Sequence, residues 1–172
     1  RRFGFIELLK TKEVCKKNYI SRLGIDALDM RLNEKYFSNK IYKSKVPIKQ
    51  ILLNQKIIAG IGNIYANEIL YDAKISPFKN GYSLKILEIK KIIRSIKKIL
   101  KMAINSGGST LKDYVSVDGT AGNFQNNFKV YNRDGQKILG HKIKRIMQYG
   151  RPTFYCPDVQ LMSKKTERRP KE

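Results

Sequence analysis

Residues 55–73, which read QKIIAGIGNIYANEILYDA, place a turn with two glycines directly before a predicted helix. Gly60 and Gly62 lack a Cβ, so the backbone can turn tightly at both positions. The first N–H groups of the helix have no acceptor within it and carry partial positive charge, and Asn63 adds a polar side chain at the same end. This combination predicts an anion site at the helix start, and a phosphate group suits such a site.

The charge of the chain also favours a polyanionic partner. Its 172 residues contain 36 Lys and Arg against 14 Asp and Glu, a formal net charge of +22. Such a chain should concentrate near nucleic acid and release counterions when it binds. The alternative is a solvated basic surface that reflects a nucleotide-biased genome, and charge by itself leaves this alternative open.

The rest of the composition is that of an ordinary folded protein. The apolar share of 41% is sufficient for a core. Cys15 and Cys156 are too few for a disulfide framework or a four-cysteine metal site. No apolar run approaches the ~18 residues of a membrane span, and no signal peptide precedes the first motif. We therefore expect a soluble, cytoplasmic protein without membrane contact, associated with the nucleoid if its partner is DNA.

Helical patterns dominate the middle of the chain. Asp29 is a candidate N-cap for a first helix, and the residues after it form one apolar stripe. That stripe contains Leu32, Tyr36, Phe37 and Ile41. Pro47 suits the first turn of a short helix over 48–53. Ser83 can cap a long helix that ends at the glycine pair 107–108. The pattern predicts a helical bundle over residues 29–105.

Strand and loop patterns lie on both sides of the bundle. Residues 3–9, FGFIELL, alternate in the manner of a strand, and residues 128–131 are also typical of one. Residues 142–156 predict a hairpin whose strands KIKRIM and PTFYC meet at Tyr149-Gly150. The polar tail from Ser163 predicts disorder.

The 55–73 stretch resembles, nearly residue for residue, the helix-two-turn-helix segment of the formamidopyrimidine-DNA glycosylase/endonuclease VIII family of base-excision repair enzymes. Residues 1–4, 106–124 and 140–160 resemble three further landmarks of that family in the same order: the void-filling loop, the lesion-capping loop and the C-terminal finger. The resemblance implies a mainly α fold, a helix-two-turn-helix bundle with a small C-terminal β-hairpin finger. It also implies an N-terminal strand left over from a missing β-sandwich domain.

The domain boundaries that follow are expectations from this resemblance. They are 1–28 for the end of the N-terminal catalytic region and linker, 29–135 for the helix-two-turn-helix domain with the capping loop, 136–160 for a zincless finger hairpin, and 161–172 for a disordered tail. The implied partner is double-stranded damaged DNA, and we expect the protein to bind it as a monomer.

The resemblance assigns DNA contacts to four residues. Asn63 and Gly62 would hold phosphates near the lesion at the helix start, helped by Lys49. Arg151, at the tip of the finger hairpin, would enter the minor groove. Tyr65 and Glu68 are expected to serve packing and helix-start electrostatics rather than DNA contact.

Two loops of the family act at the damaged base. In the void-filling loop Arg1 would face the orphaned partner base and Phe3 would wedge into the stack, which would offset the cost of flipping a nucleotide. By itself this segment can also be an arginine pair beside a core phenylalanine. The capping loop would close over the extruded base, although a plain glycine-rich turn is an alternative. Its candidate residues are Ser109, Thr110, Gly119 and Gly122.

The finger departs from the family pattern. Its usual form carries two Cys-x-x-Cys pairs that bind zinc, whereas this chain retains only Cys156 and has Val159 at the position of the last cysteine. Structural zinc needs four ligands, and Cys156 with His141 supplies at most two. We expect no zinc or other cofactor, a buried or half-buried free thiol at Cys156, and a hairpin held by apolar packing. The residues expected to pack it are Ile138, Leu139, Ile143, Ile146 and Phe154.

The family's nucleophile is the amine of an N-terminal proline, which forms a Schiff base with the sugar. The resemblance places that proline upstream of this chain, and Arg1 cannot replace it, so no catalytic residue is assigned here. The chain then corresponds to the DNA-gripping part of a bifunctional glycosylase and abasic-site lyase that removes oxidised purines such as formamidopyrimidine and 8-oxoguanine. The alternative is a non-catalytic module that binds damaged DNA, or a decaying remnant of such an enzyme.

Overall fold

In a computed structural model of the chain, the structure is described for residues 6–109 and 122–161. The α-helices are α1 Thr11–Val14, α2 Asn18–Ser21, α3 Glu34–Ile41, α4 Ile48–Leu53, α5 Asn63–Asp72 and α6 Ile86–Asn105, and 3₁₀ turns occur at Gly81–Ser83 and Phe124–Asn127. The strands are β1 Ile25–Asp26, β2 Ile58–Ala59, β3 Lys137–Ile138, β4 His141–Lys142, β5 Lys144–Gln148 and β6 Arg151–Tyr155.

The helices pack around the apolar face of α6. Its buried residues recur every three or four positions, so they form one stripe along the helix. They include Ile89, Ile92, Ile96, Ile99 and Ala103. This stripe packs against α5 and α3, and α4 packs against α5. The apolar face of α6 thus fixes α5, and α5 in turn carries α4.

Three short sheets complete the fold. β1 pairs in parallel with β2 and joins the linker to the turn before α5. β3 pairs with β4, and β5 pairs with β6, both antiparallel. A small second core lies beneath the β5–β6 hairpin and contains Val130, Ile143 and Phe154. The hairpin is therefore held by apolar packing, but Leu139, expected in that packing, is 87% exposed.

Several predicted elements are confirmed. The helix predicted over 48–53 is α4, the helix after the glycine turn is α5, and the predicted hairpin is β5–β6. The long helix α6 ends where Gly107 and Gly108 adopt positive φ angles of 71° and 81°. Glycine adopts this conformation without steric cost, which explains the stop.

Both predicted N-caps are wrong. Asn33 caps α3, because its side chain accepts a hydrogen bond from the Tyr36 N–H at 2.9 Å. The Asp29 carboxylate instead holds Arg31, accepting from its backbone N–H at 2.8 Å and from its guanidinium at 2.6 Å. At the start of α6, Glu88 reaches back to the Lys85 N–H at 2.8 Å, so Ser83 is not the cap.

The two strands predicted outside the finger are not found in the described residues. Residues 6–9 form no strand, and Ile6 and Leu8 are 103% and 99% exposed. Residues 128–131 are irregular because the Glu68 carboxylate accepts hydrogen bonds from their backbone N–H groups. The tail from Ser163, predicted to be disordered, lies outside the described residues.

Candidate nucleic-acid interface

The side chain of Gln55 fixes the turn between α4 and α5. Its Oε1 accepts a hydrogen bond from the Gly60 N–H at 2.8 Å, and its Nε2 donates to the Ile61 carbonyl at 3.0 Å. Gly60 has a φ angle of +96°, which a residue with a Cβ rarely adopts. These contacts fix the conformation of the backbone just before Asn63, and so they orient the N-terminus of α5.

The N-terminus of α5 is open. Gly62 occupies the N-cap position in an extended conformation, is exposed, and provides no side-chain cap. Within the described residues, the N–H groups of Asn63, Ile64 and Tyr65 have no hydrogen-bond acceptor. Three N–H groups and the positive end of the helix dipole are therefore available to one anion.

Asn63 connects this helix end to the finger hairpin. Its Nδ2 donates to the Pro152 carbonyl at 3.1 Å, while its buried Oδ1 has no partner in the described part of the chain. One turn further along α5, Asn67 accepts from the Phe154 N–H at 2.9 Å. Two asparagines on one helix thus bind the backbone of β6 and align the hairpin with the open helix end.

Lys49 is buried, whereas a residue that binds an external phosphate directly has to be exposed. Its side chain is fully buried, and its Nζ donates to the Pro152 carbonyl at 2.8 Å and to the Thr153 hydroxyl at 2.7 Å. Burial lowers the pKa of Lys49 to about 8, and the nearby Arg151 guanidinium is the second cause of that shift. In this conformation Lys49 holds the hairpin on α4, which corrects the expectation that it reaches a phosphate directly.

Arg151 stands beside the tip of the hairpin, as the sequence predicts. Tyr149 and Gly150 form the turn with φ angles of 51° and 70°, and Arg151 follows as the first residue of β6. Its side chain is exposed and forms no ion pair or hydrogen bond within residues 6–109 and 122–161. The guanidinium is therefore available to an external ligand on the hairpin that Asn63 and Lys49 hold.

The lesion-capping residues are only partly described. Ser109 and Gly122 lie at the base of the loop, where Ser109 forms a bridge with Asn123. The Ser109 hydroxyl lies 3.4 Å from the Tyr65 hydroxyl. Thr110 and Gly119 lie outside the described residues, as do Arg1 and Phe3 of the void-filling loop, so their roles stay predictions.

Glu68 is a structural residue whose role the sequence does not reveal. It is 2% exposed, and its carboxylate accepts hydrogen bonds from the N–H groups of Lys129, Val130 and Tyr131 at 2.8, 2.9 and 2.8 Å. Three bonds satisfy a buried charge that would otherwise be costly. In the sequence, a glutamate on the apolar side of a predicted helix indicates a buried carboxylate that needs hydrogen-bond donors. It does not indicate that residues 129–131 supply them.

The finger residues do not provide a zinc site in the described part of the chain. Cys156 is fully buried, as predicted, and His141 is exposed with its Nδ1 3.3 Å from Asp158 Oδ2. Within residues 6–109 and 122–161, no group of three or more His, Cys, Asp or Glu side chains could hold a metal ion. No described helix is long and apolar enough to cross a membrane.

The short helix α4, the turn with two glycines and the second helix α5 form the motif of the helix-two-turn-helix class of DNA-binding proteins, and the hairpin that carries Arg151 docks on it. The profile of the formamidopyrimidine-DNA glycosylase H2TH domain matches residues 23–115. The chain belongs to the formamidopyrimidine-DNA glycosylase/endonuclease VIII family.

Curated relatives show the same likeness over most of the chain. The formamidopyrimidine-DNA glycosylase of Zymomonas mobilis is 44% identical over 161 residues, which are 93% of this chain and 60% of that protein. The enzyme of the same name from Rickettsia conorii is 41% identical over 162 residues, 93% of this chain and 59% of that protein. The chain thus spans about 60% of the length of these relatives.

Solved structures agree with this. The complex between Lactococcus lactis Fpg and DNA containing an abasic site has a TM-score of 0.82 and 36% identity, with 90% of this chain and 57% of that chain covered. The MutM (Fpg) protein of Thermus thermophilus has a TM-score of 0.78 and 37% identity, with 82% of this chain and 55% of that chain covered.

Proposed function

We propose that this chain is the DNA-gripping part of a base-excision repair glycosylase that acts on oxidised purines in duplex DNA. One observation carries the proposal: the open N-terminus of α5 and the exposed Arg151 belong to elements that Asn63 joins by a hydrogen bond to Pro152. The Lactococcus lactis relative is solved with DNA containing an abasic site, which supports the same ligand here.

The two groups suit a DNA backbone near a lesion. The three open N–H groups of α5 would bind one phosphate, and the second N–H of Asn63 Nδ2 would bind a neighbouring oxygen. Arg151 would enter the minor groove and fix the orientation of the hairpin on the duplex. Such contacts position the protein without reading sequence, which suits a protein that must find damage anywhere.

The two loops would recognise the damaged base. Arg1 and Phe3 would fill the space left by the extruded nucleotide. Ser109 and Thr110, with the backbone near Gly119 and Gly122, would cover the extruded base. The protein would act on duplex DNA as a monomer and associate with the nucleoid.

Bond breaking would take place outside the described residues. A Schiff base requires an unprotonated amine that reaches the sugar C1′. Lys49 has a lowered pKa, but its Nζ is enclosed between Pro152 and Thr153. It therefore cannot approach a sugar in this conformation.

Fluorescence anisotropy with two matched duplexes tests the proposal. One duplex contains an abasic analogue and the other is undamaged, and the 172-residue chain should bind the first more tightly. Asn63→Ala and Arg151→Ala should weaken binding of the abasic-analogue duplex. Lys12→Ala removes one exposed charge from α1, at a position remote in sequence from both residues, and should leave the affinity nearly unchanged. Equal affinity for both duplexes, or equal effects of all three variants, would contradict the proposal.

Borohydride trapping separates recognition from catalysis. With a duplex containing 8-oxoguanine, we expect this chain to form no covalent adduct. An adduct would show that the chain holds its own amine nucleophile and would overturn the placement of bond breaking outside it. Specific binding without an adduct is also the behaviour expected of a non-catalytic binding module.

A further inference from the structure

Helix α6 carries a continuous row of cations on its outer surface. We name this row the α6 basic stripe, and its members are Lys90, Lys91, Arg94, Lys97, Lys98 and Lys101. A helix turns ~100° per residue, so the six side chains fall within an arc of roughly 120°. The buried isoleucines of α6 lie on the opposite side, against α5 and α3. The stripe therefore lies on the side of α6 that is not buried against α5 and α3, and only its edge, at Lys98, reaches the C-terminal end of α5.

The stripe is exposed and largely uncompensated. All of its members except Lys97 are exposed. Among the described residues only Lys98 has an ion pair within 4 Å, with Asp72 at 2.5 Å, and Lys97 also interacts electrostatically with the Asp29 carboxylate. Glu88 is the only acidic residue of α6, and it is paired with Lys79 at 2.7 Å. Like charges three and four positions apart repel each other, so the row opposes helix formation unless an anion neutralises it.

The length of the stripe suits a nucleic-acid backbone. Lys90 and Lys101 are eleven positions apart, which corresponds to about 16 Å along the helix axis. A DNA duplex carries a negative charge about every 1.7 Å, on the order of ten over that length. An anionic membrane is a poorer match, because the apolar face that a surface helix would insert is buried in the core.

We propose that the α6 basic stripe is a second, sequence-independent binding surface for a separate segment of duplex DNA. The inference rests on the proposed function in that it takes DNA as the partner of this protein. One segment would occupy the open end of α5 and Arg151, and a second would lie along α6. Such a chain can hold one segment of undamaged DNA along α6 while the surface at α5 and Arg151 searches a second segment for damage.

Counting the bound duplexes tests the proposal directly. Sedimentation velocity with a short undamaged duplex at about 50 mM salt should show two duplexes per wild-type chain, since phosphate contacts are strong at that ionic strength. The stripe variant is Lys90→Gln, Lys91→Gln, Arg94→Gln and Lys101→Gln together, and it should bind one. Its affinity for the second duplex should fall by about tenfold or more. The slope of log K against log salt concentration, summed over both binding steps, should fall by about 3 to 4.

A scattered variant provides the matched control. Lys12→Gln, Lys16→Gln, Lys35→Gln and Lys45→Gln remove four exposed charges that do not form a row. This variant should still bind two duplexes. If both variants lose the second duplex equally, net charge explains the binding and the proposal is overturned. Glutamine favours helix nearly as well as lysine, so these variants should keep α6 folded. The double variant Lys91→Gln with Arg94→Gln should show a smaller loss of affinity for the second duplex.

The remaining outcomes separate this proposal from the proposed function. One duplex per wild-type chain, lost on Asn63→Ala with Arg151→Ala, would overturn the second surface alone. One duplex lost only in the stripe variant would contradict the proposed grip and retain the stripe. Stripe-dependent flotation with phosphatidylserine vesicles that the duplex does not displace would assign the surface to membranes and overturn the proposal.

Discussion

The side chain of Asn63 donates one internal hydrogen bond and keeps a second N–H, while the backbone carbonyl of Asn63 accepts from Asn67 Nδ2 at 2.6 Å. Its Nδ2 holds the Pro152 carbonyl, and its second N–H points to no described acceptor. Asn63→Ala should therefore loosen the hairpin and remove a phosphate donor. We expect binding of an abasic-analogue duplex to weaken by about 1–3 kcal/mol, measured by anisotropy. Asn39→Ala, at an exposed position of α3, is the control, and unchanged affinity in Asn63→Ala would refute the assigned grip.

Substitution of Gly62 should affect DNA binding more than it affects the stability of the fold. A Cβ added there meets nothing within 4 Å, and its φ of −98° suits any residue. Gly62→Ala should change the free energy of unfolding by less than about 1 kcal/mol. DNA affinity should fall by about tenfold if a phosphate approaches this backbone closely.

Gly122→Ala provides the opposite control, because its Cβ would lie 2.3 Å from the Gly108 carbonyl oxygen. That variant should lose stability itself, as urea unfolding would show. A Gly62→Ala protein that binds DNA as well as the wild type would place the phosphate elsewhere.

Lys49 makes stability depend on pH in an unusual direction. Burial lowers its pKa from 10.5 to about 8, with the Arg151 guanidinium as the second cause. Between these pH values the unfolded chain binds more protons than the folded chain, so the contribution of Lys49 to the free energy of unfolding rises with pH. The difference in that free energy between wild type and Lys49→Met should therefore change in favour of the wild type from about pH 8 to about pH 10.

Urea unfolding at several pH values measures this difference. Lys12→Met removes an exposed ammonium and controls for the change of net charge. A difference between wild type and Lys49→Met that stays constant over the range would mean that the amine is not desolvated. The variant should also bind DNA more weakly, because the hairpin loses its two bonds to α4.

At the scale of elements, Glu68 fixes the segment that joins the bundle to the finger. Glu68→Gln removes the negative charge and keeps one acceptor oxygen, but it replaces the other carboxylate oxygen by an NH2 group that cannot accept, so at least one of the three bonds from the N–H groups of residues 129–131 is lost. We expect a loss of about 1–3 kcal/mol in the free energy of unfolding, measured in urea. Glu34→Gln, in the first turn of α3, is the control and should cost less than about 1 kcal/mol. Equal losses would argue against the anchoring role.

Elements determined by local signals were the ones predicted well. The glycine turn before α5, the proline before α4 and the glycines after α6 act on neighbouring residues, so their effects are visible in the sequence. The cap of α3 was missed because Asp29 and Asn33 are both good caps, and the choice depends on Arg31 occupying the Asp29 carboxylate. A local pattern cannot rank two such competitors.

For the whole molecule, the excess of cations predicts a steep loss of DNA affinity with salt. Arg151→Ala should lower the slope of log K against log salt concentration by about 0.9, the value for one phosphate contact. Arg145→Ala removes the same charge from an exposed position of β5, further from the tip, and is the matched control. Equal slopes for the two variants would mean that only net charge matters, and the assignment of the tip would fail.

The sequence by itself determined the helical bundle, the open helix start at Gly62 and Asn63, the hairpin with Arg151 beside its tip, and the family resemblance. These features depend on residues that are close along the chain. Tertiary structure alone decided the burial of Lys49, the bond from Asn63 to Pro152 and the anchoring of residues 129–131 by Glu68. Each of these joins residues that are far apart along the chain, or encloses a charge between them. A charged side chain that is solvated and one that is buried with partners look the same in the sequence, because only the folded chain supplies the acceptors.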